Sequence, residues 1–389
     1  MSSANVTVPQ FGGIPPFPTN VPTHPLLVID YELLKRHDEK EIERLWEAGT
    51  KLGFWYLKNH GAEKEVDGMF EMGKETMSLP LEEKMKYEQG DSGRSFGYKA
   101  AGANAVDAYG TLDTVEFLNV SKDDVLSYPT PTNRTYPLTV NARMEGTIRP
   151  FIQKSSQVNN TILEVFNDKL GLPKGTLLGR HRGDERSGSE TRVIKSPPLK
   201  NSNDATNGNT NREKEKGDVR QAIGAHTDFG SLSFLHNRLG GLQVLVPGCE
   251  EWQYVKPIPG HAICNIGDAI ALFSGGILRS NLHRVVPPPG AQGDYERWSL
   301  VFFTRPGNSV ILRALVEDSE MVRNAVNRAT AKANGNGKET TVPQKAPVTF
   351  ETGSTAEEWF ARRVRNQRIN NRTGPETWIA SRGTEQIEV

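Results

Sequence analysis

His226-Thr227-Asp228-Phe229-Gly230-Ser231-Leu232-Ser233-Phe234-Leu235 is the stretch that decides how this chain is read. In an extended strand, side chains alternate between the two faces, so His226 and Asp228 are expected to project to the same side. An imidazole and a carboxylate so placed make two-thirds of a facial metal site. The third ligand must come from elsewhere, and His283, within Asn281-Leu282-His283-Arg284-Val285, is the candidate. Two His and one carboxylate on one face of an octahedron leave open positions, which suits non-haem Fe(II). Zinc accepts three ligands and a water in a tetrahedron, so residue types alone leave both metals open.

Moving outward, the chain from Gln221 to about Pro306 is a series of short strand candidates separated by turns. They are Ala222–Asp228, Ser231–His236, Gly241–Val246, Trp252–Lys256, Ala262–Ile266, Leu282–Pro287 and Arg297–Thr304, punctuated by Pro259-Gly260, Gly267-Asp268 and Gly275-Gly276. Close strand spacing with such turns predicts a sandwich or barrel rather than alternating strands and helices. Arg297-Trp298-Ser299 opens the last of these strands. Arg297 and Ser299 then share a face, and a guanidinium fork beside a hydroxyl is a receptor for a carboxylate. An open metal site next to a carboxylate receptor describes a pocket for a 2-oxo acid.

In order and spacing, HTDFGSLSFL, GGLQVLVPGCEEWQYVKPIPG, CNIGDAIALFSGGILRSNLHRVV and RWSLVFFTRP resemble the core of the iron(II)- and 2-oxoglutarate-dependent dioxygenases. The subgroup is the one similar to isopenicillin N synthase. The likeness extends to LLVIDYELL, GFWYLKNHG, FGYKAAG and Asp113–Phe117, covering roughly residues 25–306, and GSTAEEWFARRVRNQR resembles the tail of fungal members. This resemblance implies a mainly β fold with flanking helices: a double-stranded β-helix (jelly-roll) core, a helical N-terminal part and a C-terminal helix. It implies Fe(II) on His226, Asp228 and His283, with 2-oxoglutarate as cosubstrate and dioxygen as oxidant. Arg297 and Ser299 would hold the distal carboxylate of 2-oxoglutarate, which becomes succinate and carbon dioxide while a substrate C–H bond is oxidised. The family's Arg-x-Asn-x-Tyr-Pro run is altered here to Arg192-Val193-Ile194-Lys195-Ser196-Pro197. Ser196 stands where the cosubstrate-supporting Tyr would be, with a shorter reach. Two rival readings follow: an iron oxidase that dispenses with 2-oxoglutarate, and a binding protein that kept the fold without turnover.

The remaining chain divides as follows. Residues 1–25 read as an extended arm and 26–190 as a helical N-terminal region. Within the latter, helices are predicted from Asp38 to Leu52, over 63–79 and over 143–170, a short strand at Phe54–Leu57, and irregular chain over 88–140. The core spans 191–310 and carries an insertion over 200–219 that has almost nothing apolar to bury. A tail over 311–389 includes a polar linker at 331–346 and a last helix opened by a capping box from Ser354 to Glu357.

The 389 residues carry 47 basic and 47 acidic side chains, a formal net charge of zero, with 36% hydrophobic residues. A balanced charge disfavours nucleic acid as a main partner. No apolar run reaches the roughly 20 residues needed to span a bilayer, and Cys249 and Cys264 fit no disulfide framework. The expectation is a cytoplasmic enzyme with a small-molecule substrate and no obligate protein partner.

Weaker signals have bland readings. Gly93-Arg94-Ser95-Phe96-Gly97 matches a nucleophile elbow but lacks the flanking strand and helix that motif needs. Gly335–Thr340 is no phosphate loop, because Glu339 occupies the hydroxyl position. His236 and His261 read as structural. Phe96, Tyr98, Phe117, Leu235, Gln243, Ile277, Asn281 and Phe303 are the candidates for a substrate pocket.

Overall fold

Strand β12 (Arg297–Thr304) sorts the layers of this protein by its alternation alone. Leu300 and Phe302 join a core shared with the helices, whereas Arg297, Ser299, Val301 and Phe303 face a cavity. The structure, a computed structural model, describes residues 13–198, 221–249, 251–335 and 350–384. The insertion expected over 200–219 and most of the linker expected over 331–346 lie outside the described residues.

The other strands are β1 (Val28–Asp30), β2 (Phe54–Lys58), β3 (Gly97–Lys99), β4 (Glu116–Ser121), β5 (Glu190–Ser196), β6 (Ile223–His226), β7 (Leu232–Asn237), β8 (Leu242–Leu245), β9 (Trp252–Tyr254), β10 (His261–Ile266), β11 (His283–Val285), β13 (Ile311–Arg313) and β14 (Glu351–Thr355). Eight of them form one sheet in the order β1-β2-β10-β7-β12-β5-β4-β3. Four form a second sheet, β6-β11-β8-β9, and β13 pairs with β14. The two large sheets pack face to face through Phe54, Tyr56, Leu242, Val244 and Ile263 at one end, and through Phe117, Ile194 and Val285 at the other. This is the jelly-roll core that the sequence predicts.

The outer face of the eight-stranded sheet is covered by helices Glu39–Lys51, Glu63–Met77 and Arg149–Lys169, where Trp55 meets Phe166 edge to face. Asp38 starts the first of these by accepting a bond from the Glu41 amide, a cap that satisfies an otherwise orphaned donor. Helix Glu63–Met77 lies so close to β5 that a Cβ on Gly73 would sit 2.3 Å from Val193 Cγ1.

Several expectations are corrected here. The chain over 88–140, read as irregular, supplies β3 and β4, and the boundary drawn at residue 190 falls inside the large sheet, where β4 pairs with β5. These strands are short and carry polar residues inward (Asn119 and Ser121 are buried), which masks their period. The long helix begins with a π-helical turn, Met144–Ile148. Helix Glu320–Gly335 was not anticipated. The last helix, Ala356–Gln367, uses Thr355 and Glu358 for its capping box, one residue later than predicted. Ser354 is still in β14, its amide bonded to Thr352 Oγ1. No helix among the described residues is long and apolar enough to cross a membrane.

Candidate metal centre and its cavity

His226 and His283 are direct partners across β6 and β11, so the ladder itself sets their rings side by side, 4.3 Å between centroids. Asp228 reaches them from beyond the strand: β6 ends at His226. The carbonyls of Thr227 and Asp228 leave the sheet to accept from Arg363 Nη2 and the Asp268 amide. Asp228, two residues past the last paired residue of β6, still presents its carboxylate on the same side as the two rings. Asp228 Oδ1 lies 3.7 Å from His226 Nε2 and 3.6 Å from His283 Nε2.

The protonation pattern leaves one lone pair from each residue pointing at the common centre. His226 Nδ1 is 2.8 Å from the Gly224 carbonyl and His283 Nδ1 is 3.2 Å from the Asn281 carbonyl. A carbonyl can only accept, so each Nδ1 carries the proton and each Nε2 is free to ligate. Asp228 Oδ2 accepts from Ser233 Oγ at 2.5 Å and Asn265 Nδ2 at 2.7 Å, which leaves Oδ1 for a metal. Burial and the neighbouring His283 press the His226 pKa down to about 3, keeping the ring neutral. Burial alone would raise the Asp228 carboxyl, but His283, His226 and the two hydrogen bonds outweigh it and hold it at about 2. Neutral imidazoles with an ionised carboxylate are the donor set that a divalent metal requires. Gly224 adds a constraint of space: a Cβ there would lie 2.0 Å from the Val106 carbonyl oxygen.

Arg297, on the facing sheet, is 2% exposed. Its Nε donates to Gly240 O at 2.7 Å and its Nη1 to Ser299 Oγ at 2.6 Å. With the Asn237 amide oriented to satisfy its neighbours, Nη2 donates to its oxygen at 3.2 Å. All these partners are neutral, and burial draws the guanidinium down to about 10. Ser196 sits directly opposite Arg297 across β5 and β12, its hydroxyl buried without a partner among the described residues. A buried cation beside an unused hydroxyl fits the carboxylate of a 2-oxo acid.

The cavity between the sheets brings together His226, Asp228, His283, Arg297 and Ser299, and of the eight pocket candidates it includes Phe117, Leu235 and Phe303. The other five lie elsewhere. Tyr98 is buried beneath the large sheet, donating to Glu116 Oε2 at 2.7 Å. Gln243 accepts from Arg284 Nε at 2.8 Å, and Asn281 holds the Leu245 carbonyl at 2.8 Å. Ile277 packs on the helical core, and the half-buried Phe96 uses its carbonyl to hold Arg134. Ser95 of the elbow-like motif donates to Glu190 Oε2 at 2.5 Å. His236 is packed edge-on against Phe234, His60 and Phe151, a structural histidine as expected.

Residues the sequence did not single out complete the wall. Arg192 and Arg305 line it from β5 and the end of β12, and Val364, Gln367, Trp378 and Arg382 line it from the tail. Arg192 could have been noticed, since it begins the altered six-residue run. The tail residues carried no local signal, because long-range packing alone brings them there. Arg363 ties the tail down through a fully buried pair with Asp268, to which Thr384 Oγ1 also donates.

Comparison with known proteins agrees with this geometry. Residues 202–306 match the model of the 2OG-Fe(II) oxygenase superfamily, and residues 26–140 match the N-terminal model described as non-haem dioxygenase in morphine synthesis. A 1-aminocyclopropane-1-carboxylate oxidase of Dictyostelium mucoroides is 30% identical over 71% of this chain and 79% of its own length. The chain belongs to the 2OG-Fe(II) oxygenase superfamily. A 2-oxoglutarate-dependent dioxygenase of Aspergillus fumigatus is 29% identical over 77% of this chain and 80% of its own. Full-length Neurospora crassa T7H, solved with alpha-KG and thymine, shares the fold with a TM-score of 0.63 at 19% identity, covering 87% of this chain and 96% of that one. As a member of this superfamily the protein is an oxidoreductase that works with Fe(II), 2-oxoglutarate and dioxygen on a small molecule.

Proposed function

We propose that His226, Asp228 and His283 hold the Fe(II), that Arg297 and Ser299 hold the distal carboxylate of 2-oxoglutarate, and that the enzyme hydroxylates, desaturates or oxidatively cyclises a small substrate of fungal secondary metabolism. One observation carries the reading. A buried guanidinium with only neutral partners shares a cavity with three converging ligand atoms. Burying an unpaired charge costs several kcal/mol, so the site is complete only when an anion arrives. Iron bound with 2-oxoglutarate and dioxygen supplies the oxidising power for attack on a C–H bond. The chain's own residues do the rest. Arg297 neutralises and orients the cosubstrate, Ser233 and Asn265 fix which oxygen of Asp228 faces the metal, and the apolar wall of Phe117, Leu235 and Phe303 keeps water from the reacting centre. The fungal dioxygenases among its relatives support the metabolic setting.

Anaerobic titration of the Fe(II) protein with 2-oxoglutarate tests this. Chelation should give a weak visible charge-transfer band, and admitting oxygen should release succinate. His226→Ala should abolish iron uptake and with it the band. A second reading, an iron oxidase without 2-oxoglutarate, draws on Ser196 standing where the cosubstrate-supporting Tyr is expected. Iron uptake with no band at saturating 2-oxoglutarate would select it.

A further inference from the structure

Alternate residues of β12 carry the cavity wall from Arg297 past Val301, which pairs with Arg192, to Phe303 and Arg305. Four residues of strand place the Arg192 level about 13 Å from Arg297. The cavity therefore has a second cationic end that the cosubstrate receptor does not use.

The charges at that end do not balance. Arg192 Nη2 and Arg305 Nη2 both donate to one oxygen, Glu190 Oε1, each at 3.1 Å, while Oε2 is taken by Ser95. One carboxylate thus serves two guanidinium groups, with Glu190 fully buried and Arg305 6% exposed. The other carboxylates of the wall are committed. Asp113 is bound by Lys99 Nζ and the Gly102 amide, and Asp228 belongs to the metal cluster. Among the described residues, Arg305 Nε is buried without a partner.

The stacking restricts what can reach the remaining donors. The Arg192 guanidinium lies 4.2 Å from the centroid of Phe117 and 5.1 Å from that of Phe303, and Arg305 lies 5.1 Å from Phe303 and 4.1 Å from Phe360. With the planes covered by rings, a ligand meets N–H edges, which suit the in-plane oxygens of a carboxylate. The same rings offer an apolar surface in the cavity that also holds His226.

We propose that the substrate is an organic acid with a planar or aromatic body, its carboxylate held at Arg192 and Arg305 and its body laid over Phe117 and Phe303; this rests on the oxygenase reading of the metal site. A buried cation, Arg305, that shares one carboxylate with the half-buried Arg192 discriminates against a neutral analogue, which leaves the excess charge unmet.

The test is calorimetric titration of the anaerobic Fe(II) protein, saturated with 2-oxoglutarate so that Arg297 is occupied, with 2-naphthoate and with methyl 2-naphthoate. The acid should bind at least about tenfold more tightly than the ester, a difference of about 1.4 kcal/mol. In Arg192→Gln the two should bind within about twofold of each other, while Arg192→Lys keeps part of the preference. The charge-transfer band with 2-oxoglutarate should persist in both variants, which verifies that they fold. The proposal is overturned if the ester binds as well as the acid, if the preference survives in Arg192→Gln, or if the native protein binds no acid. A second equivalent of 2-oxoglutarate filling this end would overturn it too. Absence of the band in the native protein would instead count against the oxygenase reading, whatever the naphthoates do.

Discussion

Arg363 and Arg297 are both fully buried arginines, and their surroundings differ in one respect. Arg363 faces a carboxylate, Asp268, and also donates to the carbonyls of Thr227 and Ser381. Arg297 faces a carbonyl, a hydroxyl and an amide. The first is a closed pair that fastens the tail to the loop carrying Asp228. The second is half of a pair whose other half arrives from solution. A buried charge with its counter-charge is architecture, and one without it is a binding site.

The largest test of this contrast is stability. Arg363→Met should lower the unfolding free energy by about 3–5 kcal/mol, because it takes the Arg363 counter-charge from the buried Asp268 carboxylate. Adding Asp268→Leu should recover much of that loss. Arg297→Met, measured in urea without 2-oxoglutarate, should change stability by less than about 1 kcal/mol or raise it, since no partner charge is stranded. A loss from Arg297→Met as large as that from Arg363→Met would break the comparison.

The next test concerns a buried group that can shed its charge. His181 is held by the Leu177 carbonyl and Ser231 Oγ, and burial lowers its pKa to about 4 from an ordinary 6.5. Between those values the unfolded chain binds the extra proton, so stability falls as the pH drops below 6.5 and levels off near 4. The loss attributable to His181 is about 3 kcal/mol, at 1.36 kcal/mol per pKa unit. Urea midpoints across pH 7 to 4 should show a shallower decline in His181→Gln than in the native protein.

Ligand-dependent stability should be slightly smaller. At a hundred times its dissociation constant, 2-oxoglutarate should stabilise the native Fe(II) protein by about 2.7 kcal/mol. It should leave the melting temperature of Arg297→Met unmoved. Smallest is Asn265→Ala, which frees Asp228 Oδ2 from one of its two donors. Iron affinity should fall about 10- to 100-fold while the fold stays intact. An unchanged affinity would mean that Ser233 alone fixes the carboxylate.

How much of this was legible in the chain depends on the range of the forces involved. The strands around His226 and Arg297 carry their own period and turns, so a sandwich or barrel could be read locally, while the jelly roll came from the family resemblance. The strands over 97–121 hid their period behind buried polar residues such as Lys99 and Asn119. Pocket candidates chosen for being apolar or polar in an apolar strand divided by face: Leu235 is on the inner face, whereas Gln243 pairs with Arg284 away from the cavity. Trp378 and Arg382 reach the wall through contacts distant in sequence: Arg363 pairs with Asp268, 95 residues away, and Arg382 Nη2 donates to the Ala225 carbonyl, 157 residues away.

The fit of Gly224 against the Val106 carbonyl has a consequence for descent. The main chain beside the metal ligand is locked to the main chain of the cavity wall, with no room for even a methyl group between them. Apolar side chains that face inward from this wall, such as Val115 and Phe117, are under no such backbone restriction. Lineages can therefore exchange the residues that choose a substrate while inheriting the metal-binding backbone unaltered, and change at codon 224 should be purged where change around it is tolerated.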